Sequence, residues 1–111
     1  MGKFKSVIYT AIVAALIFGQ AGIVLGQTSK LHVEVGLNHF YKNRYLEAYK
    51  EFKKALELDP ACAEAYYNLG RVYKAQGFMK EAIVEFQIAV RLKPDYTAAK
   101  RELDEIGRAH V

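Results

Sequence analysis

Within Ala61–Ala75, Tyr66, Leu69 and Tyr73 recur at three- and four-residue spacing, and Ile83, Phe86 and Val90 do the same within Phe78–Leu92. That spacing places apolar residues on one face of a helix. Tyr45–Leu58 follows the same rule, with Leu46, Tyr49, Phe52, Ala55 and Leu56 inward and Lys50, Lys53, Lys54 and Glu57 outward. Upstream, Lys30–Tyr41 reads as a more apolar helix, with Thr28 and Ser29 placed to cap it. Downstream, a last helix runs from Tyr96 to about Ile106 and ends near Gly107. Its stripe is Ala99, Leu103 and Ile106, and Lys100, Arg101, Glu102, Asp104 and Glu105 keep its other side wet. Gly77 and Asn43 fall between stripes, where a helix end takes positive φ. Pro60 and Pro94 stop the helices before them, since proline has no N–H and restricts its predecessor. The pattern predicts an all-α chain.

The helices come in a repeating pair. Shifting the sequence by 34 residues lays Gly36 on Gly70, Glu47 and Ala48 on Glu81 and Ala82, and Glu51 and Phe52 on Glu85 and Phe86. Ala55 then falls on Ala89, Leu58 on Leu92 and Pro60 on Pro94. A fixed period of this size marks stacked supersecondary units. Tyr66, Leu69, Gly70, Tyr73, Ala82, Phe86, Ala89 and Pro94 stand at the positions of the tetratricopeptide repeat motif, so the second unit resembles that family. The first unit keeps Gly36, Ala48, Phe52, Ala55 and Pro60 but carries His32, Val35 and His39 where the aromatic, Leu and Tyr belong. The resemblance implies a short α-solenoid of two helix-turn-helix repeats and a C-terminal capping helix. The expected divisions are 1–27 for an apolar leader, 28–62 and 63–96 for the two repeats, and 97–111 for the capping helix and tail.

The leader is a different kind of sequence. Lys3 and Lys5 precede a stretch with no charged residue from Ser6 to Ser29, most apolar over Val7–Phe18. A short basic region before such a core is the anatomy of a secretory signal peptide, with cleavage after Ala21 or Gly26. The 19 residues Val7–Leu25 also approach the roughly 20 needed to span a bilayer as an uncleaved helical anchor. Either way Lys3 and Lys5 stay cytoplasmic and the repeats are exported, to the periplasm or outside, or held on the non-cytoplasmic side of an inner or plasma membrane. A lipoprotein is not expected, because it would need a cysteine directly after the apolar core and Cys62 lies far downstream.

Composition removes several function classes. The net charge of +4 falls to about +2 without Lys3 and Lys5, and no basic stripe follows, so nucleic acid is not an expected partner. One cysteine, Cys62, precludes an intramolecular disulfide framework and reads as a small apolar residue between repeats. His32 and His39 are seven residues apart, too far for the compact i, i+4 metal pair, and read as packed substitutes for motif aromatics. Ser29, Thr28 and Thr97 have no nucleophile-elbow context, and no glycine-rich phosphate loop occurs. No catalytic residue, metal ligand or cofactor site is expected, and the chain is read as non-enzymatic.

The resemblance implies binding instead. In this family the first helix of each pair lines a concave groove for peptides or partner helices. The matching positions are Val33, Leu37 and Phe40 in the first unit and Tyr67, Asn68, Arg71 and Lys74 in the second. Asn68 offers an amide, and Arg71 and Lys74, one turn apart, can meet a carboxylate. The terminal-carboxylate clamp of some members is not reproduced. Val33 and Leu37 replace its first Lys and Asn, and Ala98 and Glu102 replace later basic residues. The expected role is an adaptor or assembly factor that holds a protein partner in the groove. The alternative is a structural subunit of a homo-oligomer or envelope complex, because two repeats leave the apolar first helix uncovered.

Overall fold

The computed structural model describes residues 24–109, which form five helices with no strand among them. Helix α1 covers 24–41. It is followed by α2 (Tyr45–Leu58), α3 (Ala63–Ala75), α4 (Met79–Leu92) and α5 (Thr97–Ala109). Two helical pairs and a closing helix are therefore present, as the 34-residue period requires. Most of the leader, residues 1–23, lies outside the described residues, and so do the signal and anchor expectations. Among the described residues no helix is long and apolar enough to cross a membrane.

The period is visible in the packing. A Cβ built on Gly36 would stand 2.5 Å from Phe52 Cε1, and one on Gly70 would stand 2.5 Å from Phe86 Cε1. Each phenylalanine lies against the bare backbone of its repeat's first helix, a distance no other residue allows. Ala48 and Ala55 are fully buried in α2, and Ala82 and Ala89 in α4, so each second helix can approach as closely. Phe52 centres a cluster with Val33, Ala48, Ala55, Ala65, Leu69 and Val72, which joins α1, α2 and α3. Phe86, Ala82 and Ile106 form the next cluster, backed by Tyr67, Tyr73, Ile83 and Leu103.

The turns repeat as well. Asn43 and Gly77 hold φ of 60° and 86°. Beyond them the Arg44 N–H donates to the His39 carbonyl at 2.9 Å and the Phe78 N–H to the Tyr73 carbonyl at 2.8 Å. These are the 6→1 bonds of a Schellman ending, satisfying carbonyls that the helix leaves free. At the exit of the first pair, Asp59 Oδ1 accepts the Ala61 N–H at 3.1 Å. That local turn delays the start of α3 to Ala63, two residues past the expected Ala61.

Three sequence expectations are corrected, the first of them for Leu46, expected inward on α2 but 61% exposed. Thr28 and Ser29 do not cap α1, because the helix already runs from 24. The Thr28 hydroxyl bonds back to the Val24 carbonyl at 2.8 Å. The buried Ser29 hydroxyl instead donates across to the Ala55 carbonyl of α2 at 3.0 Å. Finally, α5 continues through Gly107 to Ala109, since a helix tolerates glycine where nothing forces positive φ. His32 and His39 are half-buried as expected, and His32 Nδ1 lies 2.7 Å from Glu51 Oε2.

Candidate functional site

The first helices α1 and α3 and the closing helix α5 meet around Arg71. The Arg71 Cζ sits 4.6 Å from the Phe40 ring centroid, 5.6 Å from that of Tyr41 and 5.7 Å from that of Tyr67. A planar cation between aromatic faces is attracted by their quadrupoles and is held in orientation. Its Nη1 donates to Asn68 Oδ1 at 3.0 Å, and Nη2 reaches toward the Tyr41 hydroxyl at 3.5 Å. No carboxylate of the described residues forms an ion pair with it. A guanidinium has five N–H donors, so several remain for a ligand.

Asn68 is only 3% exposed. Its Nδ2 donates to the Glu64 carbonyl at 3.0 Å and its Oδ1 is taken by Arg71. The expectation that Asn68 offers its amide to a partner is corrected: both amide atoms are engaged, and Asn68 aims Arg71 instead. Val33, at 2%, is likewise buried in the first cluster and presents nothing to a groove. Position 33 faces the junction of α1, α2 and α3, where an apolar side chain is absorbed. Leu37 and Phe40 are half-buried and pack on the same cluster, with Phe40 also forming the seat for Arg71.

Lys74 is not a free cation. Its Nζ lies 2.6 Å from Glu102 Oε2 and 3.8 Å from Glu105 Oε2, both on α5. The hydrogen bond to Glu102 raises the Lys74 pKa, with burial opposing it. Tyr67 packs beside Phe86, and its ring centroid is 5.1 Å from that of Tyr96 at the head of α5. Burial pushes the Tyr96 hydroxyl up to about 12. An open recess of about 340 Å³ is lined by Phe40, Arg71, Lys74, Ala75, Met79 and Glu102. A second, of about 310 Å³, adjoins it through Lys74 and Met79 and includes Glu105, Ile106 and Ala109.

The structure therefore gathers Phe40, Tyr67, Arg71 and Lys74 into one surface and leaves Val33 and Asn68 beneath it. Reasoning from the repeat pattern missed Tyr41, Met79, Glu102 and Glu105 as neighbours of the site. Met79 begins α4 rather than lining a first helix. Glu102 was visible as a polar residue of the capping helix and as the replacement of a later basic residue of the clamp, and Glu105 only as a polar residue, although acidic residues three apart on the helix that closes over a lysine were a usable signal.

Comparison with known proteins agrees with this architecture. The TPR repeat profile matches residues 36–77, and the tetratricopeptide repeat profile matches residues 63–96. The chain belongs to the tetratricopeptide repeat family. It is 32% identical over 71 residues to mouse tetratricopeptide repeat protein 14, covering 64% of this chain and 9% of that one. It is 27% identical over 78 residues to the Caenorhabditis elegans protein O-mannosyl-transferase F38B6.6, covering 70% of this chain and 11% of that one. The chain thus spans only a small part of the length of the curated relatives it matches. Among solved structures, that of MamA superposes with a TM-score of 0.71 at 23% identity, over 75% of this chain and 48% of that one. The likeness to MamA concerns the fold.

Proposed function

We propose that this tetratricopeptide repeat protein is a non-enzymatic adaptor that holds an acidic segment of a partner protein against Arg71. The observation that carries the reading is the guanidinium itself. It is fixed over Phe40, flanked by Tyr41 and Tyr67, and opens on a recess of about 340 Å³ whose one carboxylate, Glu102, is paired with Lys74 and not with Arg71. A partner carboxylate supplies the missing charge, and the rings supply apolar contact beside it. Lys74 plays a weaker part, since Glu102 already neutralises it. The transferase among the relatives aligns over 11% of its length, so its activity is not carried to this chain.

The test is photo-crosslinking in intact cells from Tyr41, which is 69% exposed at the rim of the site. A discrete protein product that disappears with Arg71→Glu is the expected result. A product that persists with Arg71→Glu removes this site as the point of capture.

The repeats are proposed to lie on the non-cytoplasmic side of a membrane, exported or anchored. The support is the order of Lys3 and Lys5 before the uncharged run from Ser6 to Ser29. Protease added to intact and to permeabilised cells tests it. Digestion of the repeats only where the cytoplasm is opened refutes it.

One observation favours a second reading, a self-associating structural subunit. Leu31 and Val35 of α1 are exposed, whereas Ala65 and Leu69, one period later, are buried.

A further inference from the structure

We infer that two copies of this chain pair in parallel along the outer face of α1, through Val24, Thr28, Leu31 and Val35. This deepens the self-association reading above and rests on it, in the chain that keeps its residues before Gly26. The four residues follow one another at alternating four- and three-residue steps and so share one helix face. Val24 and Leu31 are 54% and 57% exposed, and Val35 is 39% exposed. The Thr28 hydroxyl is already satisfied by the Val24 carbonyl of its own helix, so burying it strands no donor.

The repeat register says what this face is for. Thr28, Leu31, Val35 and Asn38 stand 34 residues before Cys62, Ala65, Leu69 and Val72. In the second repeat that face meets α2, and Ala65, Leu69 and Val72 are buried by it. It is the face with which a first helix receives the helix before it, and among the described residues α1 has none there.

The residues themselves choose the occupant. Leu31 replaces the small Ala65, which in the second repeat allows close approach at the α2 contact. A leucine there needs a hole between side chains of a helix running alongside. In heptad terms Thr28 and Val35 take a positions, and Val24 and Leu31 take d positions. Val35 at a with Leu31 at d is the combination that favours a parallel two-stranded coil. Asn38 takes the next d position and ends the apolar run.

The opposite end of the stack offers nothing to α1. There α5 presents exposed Lys100, Arg101, Asp104 and Arg108. Among the described residues, head-to-tail growth would therefore set the apolar face of α1 against a charged one, whereas two open ends meet apolar face to apolar face. That arrangement is a closed two-fold pair.

The test uses the full-length chain in detergent, with Cys62→Ser removing its single thiol. Val24→Cys, Leu31→Cys, Val35→Cys and Lys30→Cys are then introduced singly. In a parallel pair, positions 24 and 31 each face their own counterpart within the Cα separation of about 7 Å that a disulfide tolerates, while 30 points away. The expected result is a native mass of twice the 12.5 kDa chain, with oxidative crosslinks from 24 and 31 and none from 30. Leu31→Glu combined with Val35→Glu halves that mass with helical circular dichroism unchanged, whereas Arg71→Glu leaves it intact. A monomer at every concentration overturns self-association and this pairing together. A dimer that crosslinks from neither 24 nor 31, or only between mixed Val24→Cys and Val35→Cys copies, overturns the parallel seam alone.

Discussion

Glu51 and Glu85 occupy the same place in successive repeats, and their carboxyl groups shift in opposite directions. The hydrogen bond from His32 holds Glu51 below its ordinary value, with Lys54 assisting. Burial pushes Glu85 up, opposed only by Lys53, and its Oε2 is buried without a hydrogen-bond partner among the described residues. One difference in the pattern accompanies this. Tyr66 stands where the first repeat has His32, and its hydroxyl donates to the Pro60 carbonyl rather than to Glu85.

The two carboxylates therefore make opposite contributions to stability. That of Glu51 is complete above the ordinary value of 4.5 and is lost as the pH falls through its lowered one. Glu85 favours the folded state when protonated, and that contribution is lost as the pH rises from 4.5 through its raised value. Glu85→Gln is expected to stabilise the protein slightly at neutral pH, since the partly buried charge is removed, and to gain nothing in acid. Glu51→Gln is expected to destabilise at neutral pH and to converge with the parent in acid. Urea denaturation at both pH values reads both effects.

Gly70→Ala is expected to destabilise by about 1–3 kcal/mol, the range for overpacking a filled core, despite the helix preference of alanine. The new Cβ would meet the Phe86 ring at 2.5 Å. Phe86→Leu in the same chain should recover part of the loss, so the double variant is more stable than the two single costs add up to. Urea midpoints of the four proteins decide it.

Gly77→Ala should lower stability by about 1 kcal/mol, because alanine in a left-handed conformation is strained. The surroundings are open, so the effect is purely one of backbone conformation at φ 86°. Asn43→Ala should behave alike, and Asn43→Gly should be tolerated. Thermal unfolding of the three variants is the measurement.

Glu102→Gln releases Lys74 from its 2.6 Å partner. Stability should change by under about 1 kcal/mol, as for other partly solvated pairs. Capture of an acidic partner from Tyr41 should increase, and the increase should shrink in high salt. An unchanged crosslink yield would mean that Lys74 is not part of the capture surface.

The repeat architecture was legible because its determinants are local and periodic. Gly36 with Phe52, Gly70 with Phe86, and the turns at Asn43 and Gly77 are each fixed by residue type at a set distance. The site was legible only as a set of positions. Val33 and Asn68 sit at groove positions of the motif, but burial depends on how a third helix closes over them, and no spacing rule reports that. The pairing of Lys74 with Glu102 depends on where α5 lies across α3. Ser29 looked like a cap from its neighbours in sequence, and its partner Ala55 is brought to it only by packing.

Helix α1 runs without a break from 24 to 41, and this has a mechanical consequence. At 1.5 Å per residue, Phe40 lies about 24 Å along the same rod from Val24. Phe40 is also the seat of Arg71. A tilt imposed on the rod at Val24 is therefore delivered to the guanidinium as a change of aim, so whatever grips the chain at that end sets the direction in which the adaptor points.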